Sequence, residues 1–184
     1  MCVSTHSNKR CVRTQTNSDY AGLMAPIEEP AGIGAWRAFL QAHAAVVRSL
    51  ERTLEREQRL PLAWYDVLLE LNAAPQRRLR MQELAGRVVL SRSRVSRVVD
   101  EMARTGLVRR EPDPTDGRAS FAVLTDPGRA ALRRAAPVYL RGIEDRFLAH
   151  LTPAELTTIE RAFDRVLDEQ RAFDARDDAI GRDA

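Results

Sequence analysis

Three arginines and three serines fall within seven consecutive residues: Ser91, Arg92, Ser93, Arg94, Ser96 and Arg97, interrupted only by Val95. Guanidinium and hydroxyl groups this dense suit a phosphate-rich partner. A second set is Asp116 and Arg118, two apart across Gly117 in the turn-rich run PDPTDGRA. A bend there brings the two side chains together or aims Arg118 outward. A third set is Trp36, Phe39 and His43, with Trp64 and Tyr65 further on, which hold four of the ten aromatic residues and one histidine. They could wall a pocket for a flat aromatic acid or phenol, with His43, Arg37 or Arg48 meeting its polar end. Cys2, His6 and Cys11 match no zinc spacing, so neither a metal nor a cofactor is expected.

These groups need elements to position them. Val95, Val98, Val99 and Met102 recur at i, i+3, i+4 and i+7, which predicts one apolar helix face. Ser93, Arg97, Asp100 and Arg104 then point away from it, with Arg94 and Ser96 on the flanks. Ser91 is the expected N-cap, and Gly106 suits a left-handed C-terminal cap. Exposed cations in the first turn of a helix oppose its dipole at a cost of roughly 0.3–1 kcal/mol each. A helix selected for stability alone would carry Asp or Glu there. Because the chain has a single lysine, Lys9, the choice of arginine is partly compositional, and its placement is the informative part.

A shorter helix, about 81–88, precedes this one, with Leu84, Ala85 and Val88 inward and Met81 a poor cap. After Gly106 come a strand over 107–111 and its partner over 120–124, joined by PDPTDGRA. The sequence predicts helix, turn, helix and a two-stranded wing: a winged helix-turn-helix within a mainly α chain. Arg118 near the wing tip is expected to enter a DNA minor groove and Asp116 to fix the loop.

Over ELAGRVVLSRSRVSRVVDEM and TGLVRREPDPTDGRASFAVLTDPGR the chain resembles the multiple-antibiotic-resistance regulator (MarR) family. The family's Asp-x-Arg wing pair is matched by Asp116 and Arg118, and its Leu-Thr-x-x-Gly step by Leu124, Thr125 and Gly128. The resemblance covers residues 60–130 strongly, and 33–174 by layout. It implies a dimeric DNA-binding regulator, commonly a repressor released by a small ligand. One branch of the family senses peroxides through a cysteine in the first helix; neither Cys2 nor Cys11 lies in the helix expected here.

The remaining elements are helical. Trp36, Phe39, Leu40, His43, Val47, Leu50 and Leu54 mark a helix over 34–59, and Trp64, Val67, Leu68 and Leu71 one over 62–72. Residues 73–78 read as a loop. Thr125 is expected to cap a helix reaching about His150, with Leu132, Ala136, Tyr139, Ile143 and Phe147 inward and Pro137 inside it. T-P-A-E at Thr152–Glu155 is a capping box for a last helix with the stripe Leu156, Ile159, Phe163, Val166 and Leu167. The organisation expected is a flexible tail (1–30), a dimerisation helix (31–60), the winged unit (61–125), C-terminal dimerisation helices (126–174) and a frayed end (175–184). Leu156, Ile159, Phe163 and Val166 are the expected dimer contacts.

Charge follows this division. Residues 77–134 hold 14 arginines against 7 acidic residues, net +7, while residues 1–76 are neutral and 135–184 carry −4. Double-stranded DNA and a second copy of the chain are the expected partners, with a small aromatic ligand a further one. A winged helix used for protein–protein contact is the rival class, and it would favour aromatics over arginines on the outward face. No G-x-S-x-G, H-E-x-x-H or P-loop is present, and the three histidines are scattered, so no enzyme is expected; Asp113 and Asp116 read as turn formers and wing anchors. No apolar run is long enough to span a membrane and no signal peptide is visible, so the cytoplasm is the expected compartment.

Overall fold

The computed structural model describes residues 30–88 and 90–180, without the side chains of Arg92, Arg118 and a few others. Cys2, His6 and Cys11 lie outside the described residues. The helices are α1 (Ile33–Gln58), α2 (Leu62–Ala73), α3 (Met81–Arg87), α4 (Arg92–Arg104), α5 (Asp126–Arg146) and α6 (Pro153–Ile180); the strands are β1 (Arg78–Arg80), β2 (Val108–Asp113) and β3 (Asp116–Leu124). Two compact units meet in sequence at Phe39 and Leu40. In the first, the rings of Trp36 and Phe39 lie 5.8 Å apart. The second unit holds the rest of α1 and all the other elements.

The core of that unit is aliphatic. Leu54 of α1, Val67, Leu68 and Leu71 of α2, Leu84 of α3, Val95, Val99 and Met102 of α4, and Val108 of β2 are fully buried. Each such side chain contributes about 1.5–3 kcal/mol on burial. The apolar stripe of α4 is thus spent inward, which leaves its charged stripe in solvent.

The sheet is three-stranded and antiparallel, in the order β1-β3-β2, and so corrects the expectation of two strands. Arg78 pairs with Val123 and Arg80 with Phe121, so β1 extends what reads locally as a loop. The wing strands are also longer than expected: pairing runs from Val108 with Leu124 to Asp113 with Asp116, leaving Pro114 and Thr115 as the turn. β1 also supplies the start of α3: the backbone N–H of Arg80 donates to Glu83 Oε2 at 3.3 Å, so the weak cap at Met81 is not needed.

The joint between wing and α5 explains the Leu-Thr-x-x-Gly step. The Thr125 hydroxyl lies 2.7 Å from the Gly106 carbonyl and 2.8 Å from that of Leu107, and accepts from the Gly128 N–H at 3.1 Å. A Cβ at Gly128 would collide with the Leu107 carbonyl oxygen, so only glycine lets α5 start there.

Leu132, Ala136 and Tyr139 of α5 meet the core as expected, but the most buried face is set by smaller residues. Gly128, Ala131, Leu132, Ala135, Val138 and Gly142 are buried, whereas Ala136, Tyr139, Ile143 and Phe147 are only half-buried. Small residues let the neighbouring helix approach: a Cβ at Gly142 would strike Leu50 of α1. Arg146 of α5 reinforces that contact by donating to the hydroxyls of Ser49 and Thr53. The α-helix ends at Arg146 and a 3-10 turn, Leu148–His150, leads to α6. There the Thr152 N–H donates to Glu155 Oε2 at 2.8 Å and the Glu155 N–H to Thr152 Oγ1 at 3.4 Å, the reciprocal capping box.

Candidate nucleic-acid interface and ligand cavity

Helix α4 is delimited at both ends. Ser91 Oγ accepts from the Arg94 N–H at 3.4 Å. At the other end Gly106 has φ +76°, its N–H donates to the Ala103 carbonyl, and the Leu107 N–H donates to that of Met102. This pair of bonds is a Schellman closure, which needs the left-handed glycine. Between these stops Ser93, Arg94, Arg97, Asp100 and Arg104 are exposed. No described residue bonds the guanidinium of Arg94 or Arg97, so both are free to meet an external anion.

Ser96 faces elsewhere. Its hydroxyl accepts from Arg110 Nη2 of β2 at 2.8 Å, while Arg110 Nε meets Asp100 Oδ1 at 2.8 Å and Nη1 donates to Ser120 Oγ of β3 at 3.2 Å. One guanidinium therefore ties α4 to both wing strands. Sequence reading missed Arg110; the signal was the pair Arg109–Arg110 on a strand, where alternation sends one of the two toward the recognition helix.

The wing tip is held by Asp113, which is 4% exposed. Its Oδ1 accepts from the Thr115 hydroxyl at 2.6 Å and N–H at 2.8 Å, and its Oδ2 pairs with Arg80 Nη2 at 2.7 Å. The Thr115 bonds first, and the Arg80 guanidinium after them, hold the Asp113 carboxyl below the usual carboxylate range. Asp116 closes the strand pairing opposite Asp113. The expected minor-groove role of Arg118, like a phosphate contact from Arg92, falls on a side chain outside the described set. On the outer face Arg78 lies over the Phe121 ring at 4.7 Å.

The expected dimer contacts share one side of α6. Leu156 and Ile159 are half-buried, whereas Phe163 is 41% and Val166 63% exposed, with Leu167 and Phe173 also exposed.

A cavity of about 430 Å³ opens between α1, α2, α3, α4 and α5. Val47, Leu50, Leu62, Ala63, Leu69, Val88 and Leu90 supply apolar wall; Tyr139, His43, Glu51, Asp66, Glu70, Arg87 and Arg94 supply polar groups. Of the residues singled out for a ligand, His43 lines it. Trp64 and Tyr65 do not: Tyr65 is buried with its ring 4.4 Å from that of Tyr139, and Trp64 packs on the core. Trp36 and Phe39 belong to the first unit and are exposed. Burial first, and then the charge of Tyr139, push the Tyr65 phenol up to about 12, so it remains a neutral core group.

An amphipathic helix stopped at both ends, packed on a two-helix support and clamped to a β-hairpin, defines a winged helix-turn-helix DNA-binding protein. Comparison with known proteins gives the family. The MarR family model matches residues 60–119. Sco3205 of Streptomyces coelicolor, a MarR family transcriptional regulator solved in complex with DNA, is 34% identical and superposes with a TM-score of 0.72, covering 78% of this chain and 91% of its own. AbsC of the same organism is 31% identical with a TM-score of 0.70, covering 76% and 94%. The HTH-type transcriptional regulator YkoM of Bacillus subtilis is 29% identical over 120 residues, 65% of this chain and 75% of its own. The chain belongs to the MarR family: it is a DNA-binding transcriptional regulator and not an enzyme. No helix among the described residues is long and apolar enough to cross a membrane.

Proposed function

We propose that the protein is a repressor that binds a palindromic operator as a homodimer and is released by a small aromatic ligand. The carrying observation is the exposed stripe of α4, where Arg94 and Arg97 have no partner among the described residues while every large apolar residue of the helix is buried. Ser91, Arg92, Ser93, Arg94 and Arg97 meet the major groove and its phosphates in this reading, Ser96 acts through Arg110, and Arg118 enters the minor groove beside Asp116. The DNA complex of Sco3205 supports the same use of the element here.

The exposed apolar side of α6 supports the dimer. Phe163, Val166, Leu167 and Phe173 form an exposed apolar row that a monomer would leave in water. Two-fold symmetry sets the two copies of α4 about 34–36 Å apart, one turn of duplex, and hence calls for a palindrome.

The cavity supports release. It shares Arg94 with the recognition helix, so a bound ligand and bound DNA both act on α4. A ligand that favours one placement of α4 over another shifts DNA affinity by the same free energy. Selection of bound duplexes from a random pool, followed by a reporter assay of transcription from the selected site, tests the reading. Enriched palindromes and lowered transcription are expected; an asymmetric single site or raised transcription contradicts it. A screen of aromatic compounds for release of that duplex tests the ligand. If none releases it, the protein is a regulator without a small-molecule effector.

A further inference from the structure

Three charged groups of the cavity, Glu51, Asp66 and Arg94, have no partner among the described residues, and of these only Asp66 is withdrawn from solvent. Asp66 of α2 is half-buried, and no hydrogen bond or ion pair from a described residue reaches it. Burial, and then the neighbouring Glu70, push its carboxyl up to about 6. Leu62, Ala63 and Leu69 of the same helix and Val88 make the wall around it partly aliphatic, so its charge is only partly solvated. A desolvated carboxylate is costly until a cation or donor pairs with it.

The other charges of the cavity do not serve Asp66. Glu70, one turn along α2, faces Arg87 at 3.9 Å, and Glu51 of α1 adds a third carboxylate. Arg94 is exposed on α4, where DNA needs it. His43 has an interaction of its own. A carboxylate ligand would therefore bring a further negative charge against Asp66 and Glu70, which disfavours the aromatic acid that the sequence suggests. A cationic ligand would meet Asp66, the half-buried one of the groups without a partner among the described residues.

We infer that the effector of this cavity is an aromatic cation of the amidinium or ammonium class, its charged group seated on Asp66 and its ring against Leu62, Val88 and Tyr139. This rests on the reading of the cavity as the effector site. The ligand keeps the aromatic body that fits the apolar wall; the sign of its polar end is reversed. Its cation also competes electrostatically with Arg94, which gives occupancy a direct effect on the recognition helix.

The test uses the full chain and two probes matched in ring and size, naphthalene-2-carboxamidine and naphthalene-2-carboxylate, with binding followed by titration calorimetry. The amidine is expected to bind at least about 10-fold more tightly than the acid, and Asp66→Asn to erase that preference. A thermal melt of the variant confirms its fold. Equal or tighter binding of the acid overturns the cationic class and leaves the ligand-gated reading standing. An amidine preference that survives in Asp66→Asn overturns the assignment to Asp66. Binding of neither probe overturns both the effector site and this inference. Tight amidine binding that leaves the operator complex intact supports the cationic site and contradicts release by ligand.

Discussion

Arg110 of β2 and Asp100 of α4 meet at 2.8 Å, joining the wing to the recognition helix through side chains ten residues apart in sequence. Both are partly exposed, so the pair adds little stability, about 0.2–1 kcal/mol for exposed ion pairs. Its effect is directional. The same guanidinium holds Ser96 and Ser120, and so fixes the angle at which α4 and the wing present themselves together.

Arg110→Met should therefore melt within about 2–4 °C of the parent, the shift expected from a change near 1 kcal/mol in a chain of this size, yet bind operator at least about 10-fold more weakly. Differential scanning calorimetry and an operator titration read the two quantities. Unchanged affinity would show that α4 and the wing keep their relative placement without the clamp.

Gly128→Ala should be strongly destabilising, on the order of 2 kcal/mol or more, because the added methyl meets the backbone carbonyl of Leu107 and no side chain can move to make room. Urea unfolding measures it. A loss below about 0.5 kcal/mol would mean that the Thr125 joint relaxes more freely than its three hydrogen bonds indicate.

Asp66 sets a pH dependence. Its folded value, about 6, lies above the ordinary 3.8, so the folded state holds the proton more tightly than the unfolded state. The penalty is absent below pH 3.8, grows as pH rises toward about 6, and is constant above that. Glu51 and His43 of α1, Glu70 of α2, Arg87 of α3, Arg94 of α4 and Tyr139 of α5 line the same cavity and stay in place in a variant. Asp66→Asn should thus be more stable than the parent at pH 7, by about 1 kcal/mol once solvent screening of a half-exposed group is allowed for, and equal to it near pH 4. Melting temperatures across that range check it; a parent–variant difference that stays constant contradicts the assignment.

Phe163→Asp with Val166→Asp should give folded monomers without operator affinity, since both side chains are already exposed within one chain. Sedimentation and circular dichroism separate that outcome from unfolding. A dimer that persists would move the interface away from α6.

What was legible in the sequence is what is local. Helix α4 is readable from Ser91 to Gly106 because its period, its cap and its glycine stop are each signalled by residues within about a turn. Strand β1 is not, because Arg78–Arg80 is a strand only through pairing with Phe121–Val123, more than 40 residues away. The inward face of α5 is legible only in part, for a related reason. Attention to large residues favoured Tyr139, Ile143 and Phe147, whereas close helix approach rewards Gly128, Ala135 and Gly142. The cavity takes only His43 from the expected set; Asp66, Glu70 and Arg87 also line it, and no local pattern signals their convergence.

The most direct test of the account is operator affinity against salt for the parent and for Arg97→Ala. An arginine surface that displaces counterions from some six phosphates should lose roughly 10³-fold in affinity between about 50 and 200 mM salt. Arg97→Ala should bind more weakly with a shallower slope, by about 1 for each phosphate no longer neutralised and so about 2 in a dimer, while keeping its fold. Affinity that stays flat with salt, or a slope that Arg97→Ala leaves unchanged, would contradict the assignment of α4 to DNA.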